Sequence, residues 1–490
     1  MSLKNFKQIK KTIVINFLFL TFFCHVPFST LHAQPGYPKD LQPRGNGNTY
    51  FVAKNGNNNS SGLTAASAWA TISKVNKSRF SPGDRILFKR GDTWKEQLVI
   101  PSSGSASGGS ITFGAYGTGN KPVIDGAGVN LSRNHGLIRG SGKNYIIIED
   151  IRVQNAGIGK AAENTGIGFY GGSYITVRNC EAYNTESSGL KFNTSSHITV
   201  DGNEISKACR NSRSESLSLS VIDTFEVMNN TVYDGGTAAG GGAGIDAKDG
   251  SHDGSIHHNE VYGINGANAI YVDAYGRYTY NIEIYANYIH DTDGAGFQIG
   301  SESGGLLKNV SVHHNVVHNA LRGAIAFHNK YPASGAVQDI FIYNNTFYQN
   351  GTNGTGQYGN IRVWDQLIDN LVIKNNIMGQ NHNFHVGIHT ATGPAPSKYT
   401  VGHNVLSGTQ KNAGGFAAVD GSNSIKSDPL FVNSSADNFR LQSGSPAKKA
   451  CDNSVWQGTP NITDYDGVAL TDEKGAIVAS VGKVSCGAYQ

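Results

Sequence analysis

The sequence predicts an all-β chain wound as a right-handed parallel β-helix with N- and C-terminal caps, and three observations predict it. The first is composition: glycine is 62 of 490 residues, asparagine is abundant, and only 16% of the chain is charged. Long amphipathic helices need a mixture rich in Ala, Leu, Glu and Lys, which this chain lacks. The second is a wealth of short Val, Ile, Tyr and Phe runs between Gly and Asn, which read as short strands joined by tight turns. The third is a repeat. Apolar-x-x-Asn-x-apolar recurs around Asn203, Asn230, Asn259, Asn287, Asn315, Asn345 and Asn376, with a shortened copy at Asn404, at spacings of 27 to 31 residues.

That period is selective. Helical repeats of similar length need long periodic helices, and a propeller blade needs about 40 residues or more. What fits is a coil of about three short strands that rises by one strand spacing, about 4.8 Å. The asparagines are expected to stack at a turn, where left-handed backbone and an amide ladder are favoured. Cys180 occupies the asparagine slot of an earlier copy.

The elements follow in order. Residues 1–33 read as a signal peptide: Lys4, Lys7, Lys10 and Lys11 form a basic start, Ile13 to Phe23 an apolar stretch, and Leu31-His32-Ala33 a cleavage site. The apolar run is short for a spanning helix, and no later stretch is apolar enough to cross a membrane. Residues 34–450 form the β-helix, with coils from about Val52 to Leu441. Early coils are looser, as at Asp84 to Phe88, Ile111 to Phe113 and Pro122 to Gly126. Residues 451–490 are expected to cap the open end, because an exposed terminal coil is a sticky edge. Cysteines in an exported chain permit disulfides, and Cys451 with Cys486 and Cys180 with Cys209 are the expected pairs.

Charge excludes one class of partner. The net charge is +4, and the first 33 residues carry four lysines and no acid, so the remainder is neutral. That is not the basic footprint of a nucleic-acid binder. A neutral chain also has no global field to collect a polyanion, although a local groove can still be basic. The expected partner is a polysaccharide or oligosaccharide met outside the cell or in the periplasm.

A dry aliphatic core leaves chemistry to the outward side chains of one sheet. Alternation places Ile245 and Ala247 inward with Asp246 and Lys248 outward, and Ile270 and Val272 inward with Tyr271 and Asp273 outward. Phe297 and Ile299 point inward, Gln298 outward, and Glu302 sits at the strand exit. Counted back from the next repeat asparagine, Asp246, Asp273 and Glu302 lie 13, 14 and 13 residues away, so they are expected in one register on three successive coils. Carboxyls about 5 Å apart suit a retaining glycosidase, and like charges so close raise one pKa, as a general acid requires. Tyr271, Tyr275, Gln298, His328, Arg322 and Trp364 are the candidate sugar-binding residues. No metal-ligand spacing is present.

Several segments resemble known families. Tyr50 to Trp94 and Asp428 to Pro446 are similar to the opening and closing coils of bacterial pectin-lyase-like β-helix proteins. Asn268-Ala-Ile-Tyr-Val-Asp273, then Asn287, then Glu302 before Gly304-Gly305-Leu306-Leu307 and Asn315, resembles the catalytic stretch of glycoside hydrolase family 120, β-helix β-xylosidases. That resemblance covers about 50 residues and implies Asp273 as nucleophile and Glu302 as acid/base, with no cofactor. The chain departs from it at Tyr271, where the family has tryptophan, and in the spacing of the acids. Gly244-Ile-Asp-Ala-Lys248 more faintly resembles polysaccharide lyase family 9. This implies Lys248 as the base of a β-elimination, or of the related uronate epimerisation, with Asp246, Asp249 and Asp273 holding Ca²⁺. A non-catalytic glycan-binding or adhesive solenoid is the third reading, and all three stay open on the sequence.

Overall fold

The computed structural model describes residues 47–159, 163–211, 214–237, 241–327, 335–354, 356–448, 451–452, 465–466 and 483–489. The chain divides into two compact units, 1–37 and 38–490. The first, with the expected signal peptide, lies outside the described residues, as do 38–46.

Each coil carries three strands. In one, Ile270–Tyr275 forms the first face, Tyr278–Tyr285 the second and Tyr288–Thr292 the third; Phe297–Glu302 then begins the next coil above the first. Among the described residues the third face is a sheet of 13 strands, and the first two faces merge into one of 23. Pairing between successive coils is parallel and in register, as in Ile284 opposite Ile256 and Val312, until Phe416–Ala418 pairs antiparallel with Val386–His389. Faces one and two merge because some strands run straight through the corner. Leu190–Asp201 and Leu217–Met228 do so, turning at the left-handed residues Thr194, His197, Val221 and Thr224.

Inward side chains form one continuous aliphatic and aromatic core from Val52 to Leu406. The short helix Ile72–Lys77, started by the Thr71 side chain, drives Ile72 and Val75 into its N-terminal end. The asparagine ladder sits at the corner between faces two and three. Asn259 donates through its backbone N–H (3.1 Å) and its amide (3.0 Å) to Asn287 Oδ1, and the amide also reaches the Val227 carbonyl. The same bonds repeat from Asn203 to Asn404, every member is buried, and Cys180 heads the ladder by donating its N–H to Asn203 Oδ1. The left-handed residue is not the ladder asparagine itself but its predecessor: Asn229, His258, His314, Asn344, Asn375 and His403 have φ of 52° to 60°. The ladder amide needs extended backbone to point along the axis, so the residue before it makes the turn.

One expectation is corrected here. Cys451 and Cys486 are bonded, but Cys180 and Cys209 are buried free thiols. Cys180 is fixed in the ladder, and burial pushes its thiol up to about 12. The expected cap at 451–490 is described only at 451–452, 465–466 and 483–489. These parts lie along the third face, where Ala488 N–H reaches Thr346 Oγ1, Ser485 O accepts from Asn344, and Lys374 pairs with Asp452 at 3.1 Å. Phe431, Phe439, Leu441 and the disulfide bury against Val316, Ile377 and Val405 there.

Candidate active site

Four successive coils of the first face build the site: Glu215 with the strand after it, then Ile245–Lys248, Ile270–Tyr275 and Phe297–Glu302. Leu217, Leu219, Ile245, Ala247, Ile270, Val272, Phe297 and Ile299 fill the core. Alternation then sends Ser218, Asp246, Lys248, Tyr271, Asp273 and Gln298 to the other side of the sheet. Register makes one row of Lys191, Ser218, Asp246, Tyr271 and Gln298. Asp273 lies opposite Gly300, and Tyr275 opposite Glu302.

The three acids therefore do not share one register, which corrects the expectation. Each coil shifts the acid two residues further along its strand. Counting back from the ladder assumed an equal path in every coil. The path is unequal, since the second-face strand is His252–His257 in one coil and Tyr278–Tyr285 in the next. Nor are the acids solvated. Asp246 is 1% exposed and Asp273 5%.

Their surroundings split them into two groups. Lys248 Nζ donates to Glu215 Oε1 at 2.5 Å and lies 3.4 Å from Asp246 Oδ2. Burial alone would lower the Lys248 pKa, but Asp246 and Glu215 outweigh it and hold the ammonium well above the ordinary lysine range. Burial, with the charges of Glu215 and Asp273, pushes the Asp246 carboxyl up, and Lys248 opposes the rise. Neither Asp246 oxygen has an aligned hydrogen bond.

The second group is Tyr271, Asp273 and Glu302. Tyr271 donates its hydroxyl to Glu302 Oε1 at 2.7 Å, reaching across the coil step. Burial, then the charges of Asp273 and Glu302, keeps that phenol protonated. Asp273 sits between Tyr271 and Tyr275 on its strand, and its Oδ1 is buried without a hydrogen bond. Burial first, then the charges of Glu302 and Asp249, raise its pKa to about 8 against the pull of Lys248. The backbone there is fixed: Thr279 Oγ1 donates to the Asp273 carbonyl and accepts from Gly250 N–H. Gly276, at φ 61°, turns the chain into the second face.

The other expected residues are spread along the solenoid. Tyr275 is 54% exposed at the edge of the site. Gln298, in the row itself, accepts from Asn268 at 2.5 Å through its side-chain oxygen. Further along, Trp364 stacks on His389 and the buried Arg362 lies over Tyr358 and Trp364, while Arg322 lies in the turn before the strand Ile325–Phe327. His328 lies outside the described residues. Sequence reasoning missed Glu215. Strict alternation counted back from Leu217 would put it on the inward side, but it precedes the strand, and no repeat asparagine marks that Ser-rich stretch.

A Ca²⁺ site on Asp246, Asp249 and Asp273 does not fit this geometry. Lys248 occupies the space an ion would need to share with Asp246, and Asp249 is engaged by Ser220 Oγ at 2.8 Å. Among the described residues, the three-residue group whose ligand atoms all lie within 4.8 Å is Asp223, His252 and Asp253, at the start of the second face.

Comparisons with known proteins bear on the architecture. No curated protein matches the sequence. Among solved structures, the chain is similar to the pectate lyase Pel9A, at 15% identity over 89% of this chain and 96% of that one, TM-score 0.49. It is similar to a family 136 lacto-N-biosidase from Eubacterium ramulus, at 14% identity over 77% and 68%, TM-score 0.49. It is also similar to a mannuronan C-5 epimerase A-module from Azotobacter vinelandii, at 15% identity over 70% and 91%, TM-score 0.49. At these identities and scores the likenesses lend the site no chemistry, which has to come from its own residues. Residues 116–276 match the family model described as "Right handed beta helix region", and with the parallel three-faced coils this makes the chain a right-handed parallel β-helix.

Proposed function

We propose that this protein is an exported glycoside hydrolase that cleaves a carbohydrate chain at the Asp273–Glu302 pair. The observation that carries the reading is a buried carboxyl, Asp273, protonated to about pH 8, on the coil next to a carboxylate that a tyrosine hydroxyl holds in place. An acid that keeps its proton near neutrality beside an acceptor carboxylate is the pairing that glycoside cleavage requires. Glu302 is one coil on and two residues along from the partner of Asp273, an offset of about 8 Å at the backbone, and the retaining form of the reaction needs the two side chains to lean together to about 5 Å.

The electrostatics favour an exchange of the roles that the family 120 resemblance implies. Asp273 donates its proton to the leaving glycosidic oxygen. Glu302, oriented by Tyr271, attacks the anomeric carbon. Asp273 then takes a proton from the water that releases the sugar, and both groups return to their starting states. Lys248 with Asp246 and Glu215 sets the local charge. The exposed ring of Tyr275 offers a face for pyranose C–H groups at the edge of the site.

Elimination or epimerisation is less well supported, because its base has to be a neutral amine. Lys248 is held as an ammonium between two carboxylates, and the acids around it are not arranged for Ca²⁺. The export half of the proposal rests on the basic-then-apolar start of the sequence. The test of the activity is substitution: Asp273→Asn and Glu302→Gln are each expected to lower kcat by at least about 10²-fold while the fold is kept. Full turnover by either would remove that pair from the chemistry. Lys248→Met is expected to leave partial activity, whereas a lysine base predicts none.

A further inference from the structure

We infer that the same face carries a binding site for an acidic sugar unit, two to four coils on the N-terminal side of Asp246. The row that contains Asp246 runs back through Ser218, Lys191 and Gly168 to Arg139. Lys191 is thus two coil steps from Asp246, about 10 Å, and Arg139 four, about 19 Å. Between the two cations Gly168 has no side chain, and the Tyr170 ring lies over it. A Cβ built at Gly168 would stand 2.9 Å from the Tyr170 hydroxyl and 3.0 Å from its ring. The result is an aromatic floor with a cation on either side. Together with Arg133, His135 and Asn193 it lines a cleft of about 430 Å³.

Two observations point to an anionic ligand. Arg139 Nε is buried without a hydrogen bond, although a buried guanidinium N–H is ordinarily satisfied. Neither Arg139 nor Lys191 makes an ion pair among the described residues, while Arg133 reaches only Glu163, at 3.4 Å between exposed groups. This differs from the acidic stretch further along, where Lys248 is gripped by two carboxylates. Charge along the face therefore changes sign from cationic at Arg139 and Lys191 to acidic at Asp246, Asp273 and Glu302. A pyranose lying on Tyr170 would present a carboxylate or a sulfate ester to Arg139 and Lys191, with the rest of the chain running along the solenoid axis to the acids. The two anions share one chemistry, planar or tetrahedral oxyanion on paired cations. The neutral net charge of the mature chain is no obstacle, since the field is local.

The inference deepens the hydrolase reading by naming its substrate class, and only the direction of the bound chain rests on that reading. The experiment is calorimetric binding to full-length Asp273→Asn protein, in which binding is read apart from turnover. The probes are an oligogalacturonate, a sulfated carrageenan oligosaccharide and a neutral xylo-oligosaccharide. One of the acidic probes is expected to bind at least about tenfold more tightly than the neutral one, to weaken as salt is raised, and to lose about tenfold in Lys191→Met. Which acidic probe wins tells carboxylate from sulfate. Lys191 is partly exposed, so its variant keeps the fold even if Arg139→Gln does not, and an unchanged melting curve checks this. Equal binding of neutral and acidic probes, or acidic binding that Lys191→Met and Arg133→Ala leave untouched, overturns the inference. Acidic binding without cleavage by the parent protein would instead count against the hydrolase reading alone.

Discussion

Asp273 illustrates how one position on a solenoid acquires chemistry. It points away from the core, yet Tyr271, Tyr275 and the next coil cover it, and burial next to Glu302 raises its pKa to about 8. As a proton donor it works in its protonated form, so activity is expected to be present below about pH 8 and to fall as pH rises through that value. A kcat/KM profile measures it, and an activity that only begins above pH 8 contradicts it. Glu302→Gln removes the nearest charge that raises this pKa. The Asp273 titration, followed by carboxyl-carbon NMR, is therefore expected to move downward in that variant. Stability should follow the same group. Its folded pKa is raised above the unfolded value of 3.8, so the stability it supports is present at acid pH and is lost between about pH 4 and 8. Asp273→Asn is then expected to melt with the parent at pH 4 and to be more stable at pH 8, on the order of 1–3 kcal/mol. Equal melting at both values would mean the carboxyl is not buried as described. The acids Asp273, Glu302 and Asp246 and the cation Lys248 were legible in the sequence, because alternation within a strand is rigid. Glu215 was not, since it precedes its strand and no repeat feature marks it.

At the scale of the element, the ladder asparagine and the coil path behave differently. The ladder was legible because each asparagine satisfies the same buried groups in every coil: the preceding coil's N–H and amide, and the carbonyl beneath. Asn287→Ala would remove the Oδ1 acceptor from the Asn259 N–H and amide, and the amide donations to the Ile256 and Tyr285 carbonyls. The expected cost is about 2–4 kcal/mol in a denaturant titration, against less than about 0.5 kcal/mol for Asn120→Ala in an exposed turn. A similar small cost at both sites would show that the ladder is decorative. The path between ladder and site was not legible. Corners accept one to three extra residues without disturbing either the core or the ladder, because the left-handed turns and strand ends absorb them. Relative register across coils is therefore fixed by pairing along the first face, and the distance back from the asparagine does not report it.

Over the whole molecule, the solenoid is a stack in which each coil touches only its neighbours, so a face can carry a long row of side chains with changing character. Here the face passes from cations at Arg139 and Lys191, past Asp246 and the acids Asp273 and Glu302 beside its row, to Arg362 beyond. A carbohydrate chain is the class of ligand that matches such a surface in length and repeat. Among the described residues no helix is long and apolar enough to cross a membrane. The fold as a whole was legible because its period is stated once per coil. The C-terminal segment was not, because a run with no repeat says nothing about which surface it packs on.

The most direct test of the hydrolase assignment is the mass of the products formed from a panel of neutral and acidic plant and algal polysaccharides. Hydrolysis at Asp273 and Glu302 predicts fragments that have gained one water, formed by the parent protein and absent with Asp273→Asn and with Glu302→Gln. Fragments of unhydrated mass that absorb in the ultraviolet, or water-gaining fragments that persist undiminished in either variant, would contradict it.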